Sequence, residues 1–296
     1  MNSFNVIVVG AGPAGLMTAL CASRAGALVL VLEQRTEAGT RLLATGGGHC
    51  NFTNTLGSAD VVKRFGAKSR FVTPALRAMP SNRLRLFFEE LGVPSHSPDG
   101  FHVLPADDSA RSIRDALLRA CHQQGVTFRY NSHVDRLRIG KHQPIELIIS
   151  DVPTTADQSS KISQDRTLSK AGRISPRRGA CSEKASDGVA FRSVSADCVV
   201  LAAGGASYPS LGGGESGYRL ARIAGHTIVP PCPALVPLIA REDWPGTLAG
   251  LTLPRVAIRL APCVGNPDAP KVADVVPGSL LFTHKGISGP VALDIS

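Results

Sequence analysis

The stretch FNVIVVGAGPAGLMTALCASRAGALVLVLE, residues 4–33, constrains this chain more tightly than any other. A β-branched apolar run ends in glycine, a segment of helical propensity reaches Gly26, and a second apolar run ends at Glu33. That order predicts strand, helix, strand, and two strands joined through a helix lie parallel with a right-handed crossover. Gly10, Gly12 and Gly15 fall at the corner where the first strand turns into the helix. Gly10 permits the tight turn, Gly12 leaves the backbone open to a diphosphate, and Gly15 lets helix and strand approach closely. The helix N-terminus then offers unpaired N–H groups and a partial positive charge to phosphates. Glu33 would accept hydrogen bonds from a ribose and repel a 2′-phosphate, so the pattern predicts a dinucleotide other than NADP.

Downstream, SNRLRLFFEELG and DDSARSIRDALLRACHQQG carry helical periodicity, the second with Ile113, Ala116, Leu117, Ala120 and Cys121 on one face and Gly125 as its stop. VTFRY reads as a further parallel strand. HVDRLRI, IELIIS and VAFRSV have no helix between them and predict an antiparallel meander, after which DCVVLAAGG returns as an apolar strand. The expected fold class is α/β: a Rossmann-type domain with a β-meander over residues 1–225, then a β-rich domain over 226–296 with short strands such as RVAIRL and SLLFT. Residues 153–187, between meander strands, are rich in Ser, Lys and Arg and read as a flexible surface excursion.

At 296 residues and 43% hydrophobic, the chain can bury one large core or two modest ones, and no apolar run reaches the length of a transmembrane helix. The opening segment lacks the basic start of a signal peptide, so a cytoplasmic location is expected. Seven cysteines form no CxxC pair, and an odd number cannot close a complete disulfide set; no metal site is expected. The net charge of +9 raises nucleic acid as a partner. Yet residues 161–184 alone hold seven Lys or Arg against two acids and no aromatic for base stacking, so nucleic acid is not the expected partner.

One stretch, TRLLATGGGHCNFTN at residues 40–54, fits neither helix nor strand by pattern. It follows Glu33 where the chain must cross the mouth of a site built on strand ends. Glycines 46 to 48 would let backbone lie against a flat ring system or a diphosphate, and Asn51 and Thr53 can donate hydrogen bonds. A loop so placed suits a bound flavin and favours FAD over NAD.

GAGPAG, LLATGGGHCNFTN, VVLAAGGASYPSLGGGESGY, GHTIVPPCPALVPL, LAGLTLP and LLFTHKGISGP, in this order, resemble the FAD-dependent flavoprotein family that includes the bile-acid reductase BaiN and aminoacetone oxidases. The resemblance implies a glutathione-reductase-like Rossmann domain holding FAD, a β-barrel domain, and a small helical domain inserted into it. It further implies Gly10, Gly12, Ala14 and Gly15 at the pyrophosphate and Glu33 at the ribose, with Gln34 beside it in the cofactor site. Arg41 and the loop residues Thr45, Gly46, Gly47, Gly48, Cys50 and Asn51 would lie along the FAD. Val134 would present backbone to the adenine, and Gly204 and Gly205 would pass close to the cofactor. The loop departs from the family's usual GRKLLxSGGGRCN at Thr40, Arg41, Thr45 and His49, and His49 stands where arginine is expected.

Members of that family also continue through a helical insert and a C-terminal segment that returns to the flavin. The sequence therefore reads as an N-terminal fragment with an incomplete barrel. The implied function is hydride transfer between FAD and a small organic substrate, with NAD(P)H or oxygen as second partner. An FAD-binding fragment without turnover and an RNA-associated flavoprotein are the alternatives, and no catalytic side chain is assigned.

Residues 212–217, GGGESG, repeat the GxGxxG spacing ahead of YRLARIAG, but follow a loop and lack a later acid, so they read as a glycine loop at the domain junction. Cys50 beside His49 could form an activated thiol. Neighbouring residues of an extended chain point opposite ways, however, and a packing cysteine is favoured. Tyr208 and His284 could each face the substrate or anchor a loop.

Overall fold

The computed structural model describes residues 3–152, 191–259 and 276–296, so the excursion expected at 153–187 lies outside the described residues. The chain divides into two compact units, Met1–Ile228 and Val229–Ser296.

In the first unit, β1 (Ser3–Val9), α1 (Pro13–Arg24) and β2 (Val29–Leu32) form the expected βαβ unit, with Val6 opposite Val29 in a parallel pair. Then follow α2 (Thr40–Ala44), β3 (Thr53–Asn54), α3 (Ser58–Arg64), α4 (Ser69–Ala78), α5 (Ser81–Glu90), β4 (Ser95–His96), β5 (His102–Pro105) and α6 (Ala110–Gln123). The unit continues with β6 (Thr127–Arg129), β7 (Ser132–Arg138), β8 (Ile145–Asp151), β9 (Phe191–Leu201) and α7 (Ser216–Ile223). One sheet runs β6-β2-β1-β9-β8-β7, parallel from β6 to β9 and antiparallel from β9 to β7; β3, β5 and β4 form a small separate sheet.

Alternate residues of a strand face opposite sides. Val8, Val29 and Val31 pack with Leu16, Ala19 and Leu20 of α1 and Ile113, Leu117 and Cys121 of α6. Ile7, Val9, Leu30 and Leu32 pack on the other side with Leu147, Ile149 and Leu220 of α7. Both faces are therefore buried, which is why these strands read as unbroken apolar runs, each buried Leu or Ile contributing about 1.5–3 kcal/mol. At the end of α1, Gly26 takes φ +89, and the N–H groups of Gly26 and Ala27 donate to Ser23 and Ala22 carbonyls, the double closure a left-handed glycine permits. Gly125 ends α6 in the same way.

Two expectations change. VAFRSV and DCVVLAAGG are not separate strands: Phe191–Leu201 is one strand, pairing antiparallel with β8 through residues 191–196 and parallel with β1 through most of 195–201. No glycine or proline interrupts that run, so one length of chain spans the meander and the parallel sheet. The stretch at residues 40–54 is also more regular than its pattern indicates, with α2 followed directly by a 3-10 turn over Thr45–Gly48.

The second unit holds β10 (Leu238–Ile239), α8 (Trp244–Thr247), β11 (Thr252–Ile258), β12 (Val276–Thr283), β13 (Gly286–Ser288) and α9 (Pro290–Ile295). Its antiparallel sheet runs β10-β13-β12-β11 around a small core of Leu280, Phe282, Val291 and Ala292.

Candidate cofactor site at the strand ends

The corner after β1 gives each glycine a different task. Gly10 has φ +104, its N–H donates to the Leu32 carbonyl at 2.7 Å, and a Cβ there would meet the Ala202 carbonyl oxygen at 2.5 Å. A Cβ on Gly15 would lie 1.9 Å from the Gly10 carbonyl oxygen, so α1 sits directly on the turn. A Cβ on Gly12 would meet nothing within 4 Å. It would instead project into a crevice of about 420 Å³ that Gly10, Gly12, Pro13 and Ala14 help to line, a volume in the range of cofactor sites. Pro13 stands at the first position of α1 and no side chain caps it. Its first turn therefore keeps backbone donors and a positive dipole end for an anion.

The crevice opens where the chain path departs in opposite directions from β1, toward β2 on one side and β9 on the other, the place where open α/β sheets bind ligands. Glu33, just past β2, lines it half-buried. Glu33 Oε2 accepts the Ala11 N–H at 2.7 Å and Oε1 accepts the Arg35 N–H at 2.9 Å. A carboxylate has about four acceptor positions, so two remain for ribose hydroxyls after the glycine turn is anchored. From α2, Arg41 reaches across, Nη1 donating to the Gly205 carbonyl at 3.1 Å and Nη2 to that of Ala203 at 3.4 Å. Gly204 takes φ +76, a left-handed conformation that favours glycine, and the Arg41 guanidinium occupies the space a Cβ would fill. An open glycine cradle, an uncapped helix start and a ribose-height carboxylate fit the adenosine diphosphate half of a dinucleotide.

Of the residues singled out from the sequence, the crevice gathers Gly10, Gly12, Ala14, Glu33, Gln34, Arg41, Thr45, Val134, Gly204 and Gly205. Gly15 lies behind it, against Gly10. Gly47, Gly48, Cys50 and Asn51 are not among the lining residues. Gly47 and Gly48 have φ +70 and +100, so glycine serves the turn itself. Cys50 is buried and its thiol is pushed up to about 11 by that burial, the condition of a packing cysteine rather than a reactive one. His49 turns to the Asp108 carbonyl, 3.1 Å from Nδ1, and Thr53 donates to Ser81 Oγ at 2.9 Å. Tyr208 is 69% exposed at φ +54, and its carbonyl accepts the Leu211 and Gly213 N–H groups as a turn anchor.

Sequence reasoning named Gln34 but missed its partners, His133 and Gly212. Gln34 Nε2 donates to the Gly212 carbonyl at 3.1 Å, and its Oε1 lies 3.2 Å from His133 Nδ1. Gly212 and Ser216 of the GGGESG segment line this same crevice, so that glycine loop closes the first site instead of founding a second. Its signal was the loop's composition. Among the described residues no group of three His, Cys, Asp or Glu could hold a metal, and no helix is long and apolar enough to cross a membrane.

Residues 4–184 match the family described as HI0933-like protein Rossmann domain, and residues 232–296 match the HI0933-like protein barrel and H2TH domain. The chain belongs to the HI0933-like family. That family consists of FAD-binding oxidoreductases. This HI0933-like chain is 28% identical over 299 aligned residues to a ribosomal RNA dihydrouridine synthase of Escherichia coli (strain K12), covering 100% of this chain and 61% of the relative. It is 29% identical over 291 residues to a 3-dehydro-bile acid delta(4,6)-reductase of Clostridium scindens, covering 98% and 59% respectively. The chain thus spans about three-fifths of the length of these relatives. Among solved structures, the open conformation of a flavocytochrome c3 fumarate reductase is 17% identical with a TM-score of 0.48, covering 86% of this chain and 47% of that one.

Proposed function

We propose that this chain is the FAD-holding part of an oxidoreductase that reduces a carbon–carbon double bond conjugated to a carbonyl in a small organic substrate, with NAD(P)H as electron donor. The observation that carries the reading is the crevice at the glycine corner, open at Gly12 and bounded by Glu33. When bound there, FAD supplies two-electron hydride chemistry. Residues 1–225 act as the cofactor domain and 226–296 as a second, β-rich domain. Gly10, Gly12, Ala14 and Gly15 shape the diphosphate cradle, and Glu33 with Gln34 receives the ribose. Val134 offers backbone to the adenine, and Arg41 with Thr45, Gly204 and Gly205 borders the remainder. Gly46, Gly47, Gly48, Cys50 and Asn51 carry the turn that holds Thr45 in place. The bond class is supported by the two relatives: saturating uridine to dihydrouridine and reducing a 4,6-dienone both add hydrogen across an alkene polarised by a carbonyl.

One observation favours a second reading, in which the alkene is a uridine of RNA: two of the curated relatives are named ribosomal RNA dihydrouridine synthase. Purified chain mixed with FAD is reduced anaerobically with NADPH or NADH and offered a steroidal 4,6-dien-3-one or a ribosomal RNA transcript. Reoxidation of the flavin by the dienone supports the first reading, and dihydrouridine in the transcript supports the second. Failure to retain FAD, or a reduced flavin that neither acceptor reoxidises, overturns both.

A further inference from the structure

We infer that the helical segment from α3 to the start of α5 is a docking surface for RNA, binding its phosphates through arginines and its unpaired bases through phenylalanines. The inference rests on the RNA reading above. Residues 58–85 contain seven Lys or Arg against a single acid, Asp60. Lys63, Arg64, Lys68, Arg70, Arg77 and Arg83 are exposed. Only Lys63 has a carboxylate partner among the described residues, at 3.2 Å from Asp60. No residue of α3 or α4 is buried. Two short helices with no fully buried residue thus present a cationic face that no carboxylate beyond Asp60 offsets among the described residues, Arg64 lying over the Phe101 ring at 5.7 Å.

The aromatics decide what kind of polyanion fits. Phe65 follows Arg64 and Phe71 follows Arg70, and they are 47% and 87% exposed. Arg70 and Arg77, seven residues apart on α4, share one side of the helix, with Phe71 next to them. Cations that track a backbone, interleaved with rings on which bases stack, are the two parts of a single-strand binding surface. The excursion at residues 161–184 has the cations without the rings. An anionic lipid surface would match the charge but gives no use for rings paired one to one with arginines.

The test compares the full chain with two variants, the triple substitution Arg64→Gln, Arg70→Gln, Arg77→Gln and the single Phe71→Ala. The probe is a labelled uridine-rich hairpin RNA titrated at several salt concentrations, and phosphatidylglycerol vesicles form a second arm. The triple variant is expected to lose at least tenfold in RNA affinity, with a slope of log affinity against log salt shallower by about 2, at roughly 0.7 per phosphate contact removed on a single strand. Phe71→Ala is expected to lose about fivefold or more with the slope unchanged. Flavin retention, measured on each variant, stays at the parent level. Variants that bind the hairpin with parent affinity and slope overturn the surface while leaving RNA as substrate, which dihydrouridine formation by the parent chain reports separately. A parent chain that ignores RNA, or prefers the vesicles, overturns the surface together with the reading beneath it.

Discussion

Replacing Gly12 and Gly15 in turn by alanine separates the space that binds from the space that packs. An alanine at 15 places its methyl 1.9 Å from the Gly10 carbonyl oxygen, whereas ordinary contact begins at 3.4 Å, so helix and turn must part by about 1.5 Å. The upper end of overpacking costs, about 3 kcal/mol, applies because the obstacle is backbone. For a unit of this size that lowers Tm by about 6–12 °C. An alanine at 12 meets open space, and Gly12 already has φ −74 and ψ −179, which alanine adopts freely. The unliganded Gly12→Ala protein should therefore melt within about 0.5 kcal/mol of the parent. Its methyl, however, occupies the space over the first turn of α1. Losing one charge-assisted hydrogen bond to a diphosphate, about 1.5–3 kcal/mol, weakens FAD about 10- to 150-fold. Thermal melts without cofactor and flavin-fluorescence titrations measure the two effects independently. If Gly12→Ala lowers Tm as far as Gly15→Ala, or binds FAD as tightly as the parent, the assignment of Gly12 to the diphosphate is wrong.

Glu33→Gln keeps one acceptor oxygen where two are used, so either Ala11 or Arg35 loses its partner; the expected result is about 1–3 kcal/mol of lost stability in melts and weaker FAD binding by titration. At pH 8 a thiol reagent should label Cys21, Cys198 and Cys232 in the native protein and reach buried Cys50 and Cys121 only on unfolding, as peptide mapping would show. Burial pushes the Cys50 and Cys121 thiols up to about 11, above the unfolded value, so their contribution to stability is complete below about pH 8.5 and is lost as pH rises through 11. Asp99 is held down at about 2 by its hydrogen bond to His102, helped by the Phe101 and His102 N–H groups; its contribution is complete above about pH 4 and is lost as pH falls through 2. NMR titration should show His102→Ala moving that carboxyl back toward the ordinary range.

Much of the fold is legible because local signals and tertiary demands agree. The β1-α1-β2 unit announces itself through apolar runs, a glycine corner and Gly26, and the face of α6 named from its periodicity is the face that is buried. Strand β9 is harder, since an alternating half and an apolar half look like two strands until their shared direction is known. Only pairing shows that Phe191–Leu201 borders β8 with one end and β1 with the other. α3 and α4 escape pattern reading for a different reason: α4 does carry Val72, Ala75 and Leu76 at helical spacing, but Pro74 interrupts the run as a helix signal, and neither helix buries a residue.

The site divides along the same line. Contacts fixed by nearby chain, Gly10, Gly12, Gly15 and Glu33, can be argued from spacing, because a turn and the strand beside it admit few geometries. Contacts made across sequence distance cannot. Arg41 meets carbonyls more than 160 positions away, and Gln34 meets Gly212 across 178, so neither partner marks the other in the sequence. Gly204 shows how such a pairing leaves a trace nonetheless: φ +76 calls for glycine, and the guanidinium takes up the space that the absent side chain leaves. A glycine that ends an apolar strand is thus ambiguous by itself, serving either a turn or a distant side chain, and here φ +76 fixes the first role while Arg41 makes use of the space it leaves.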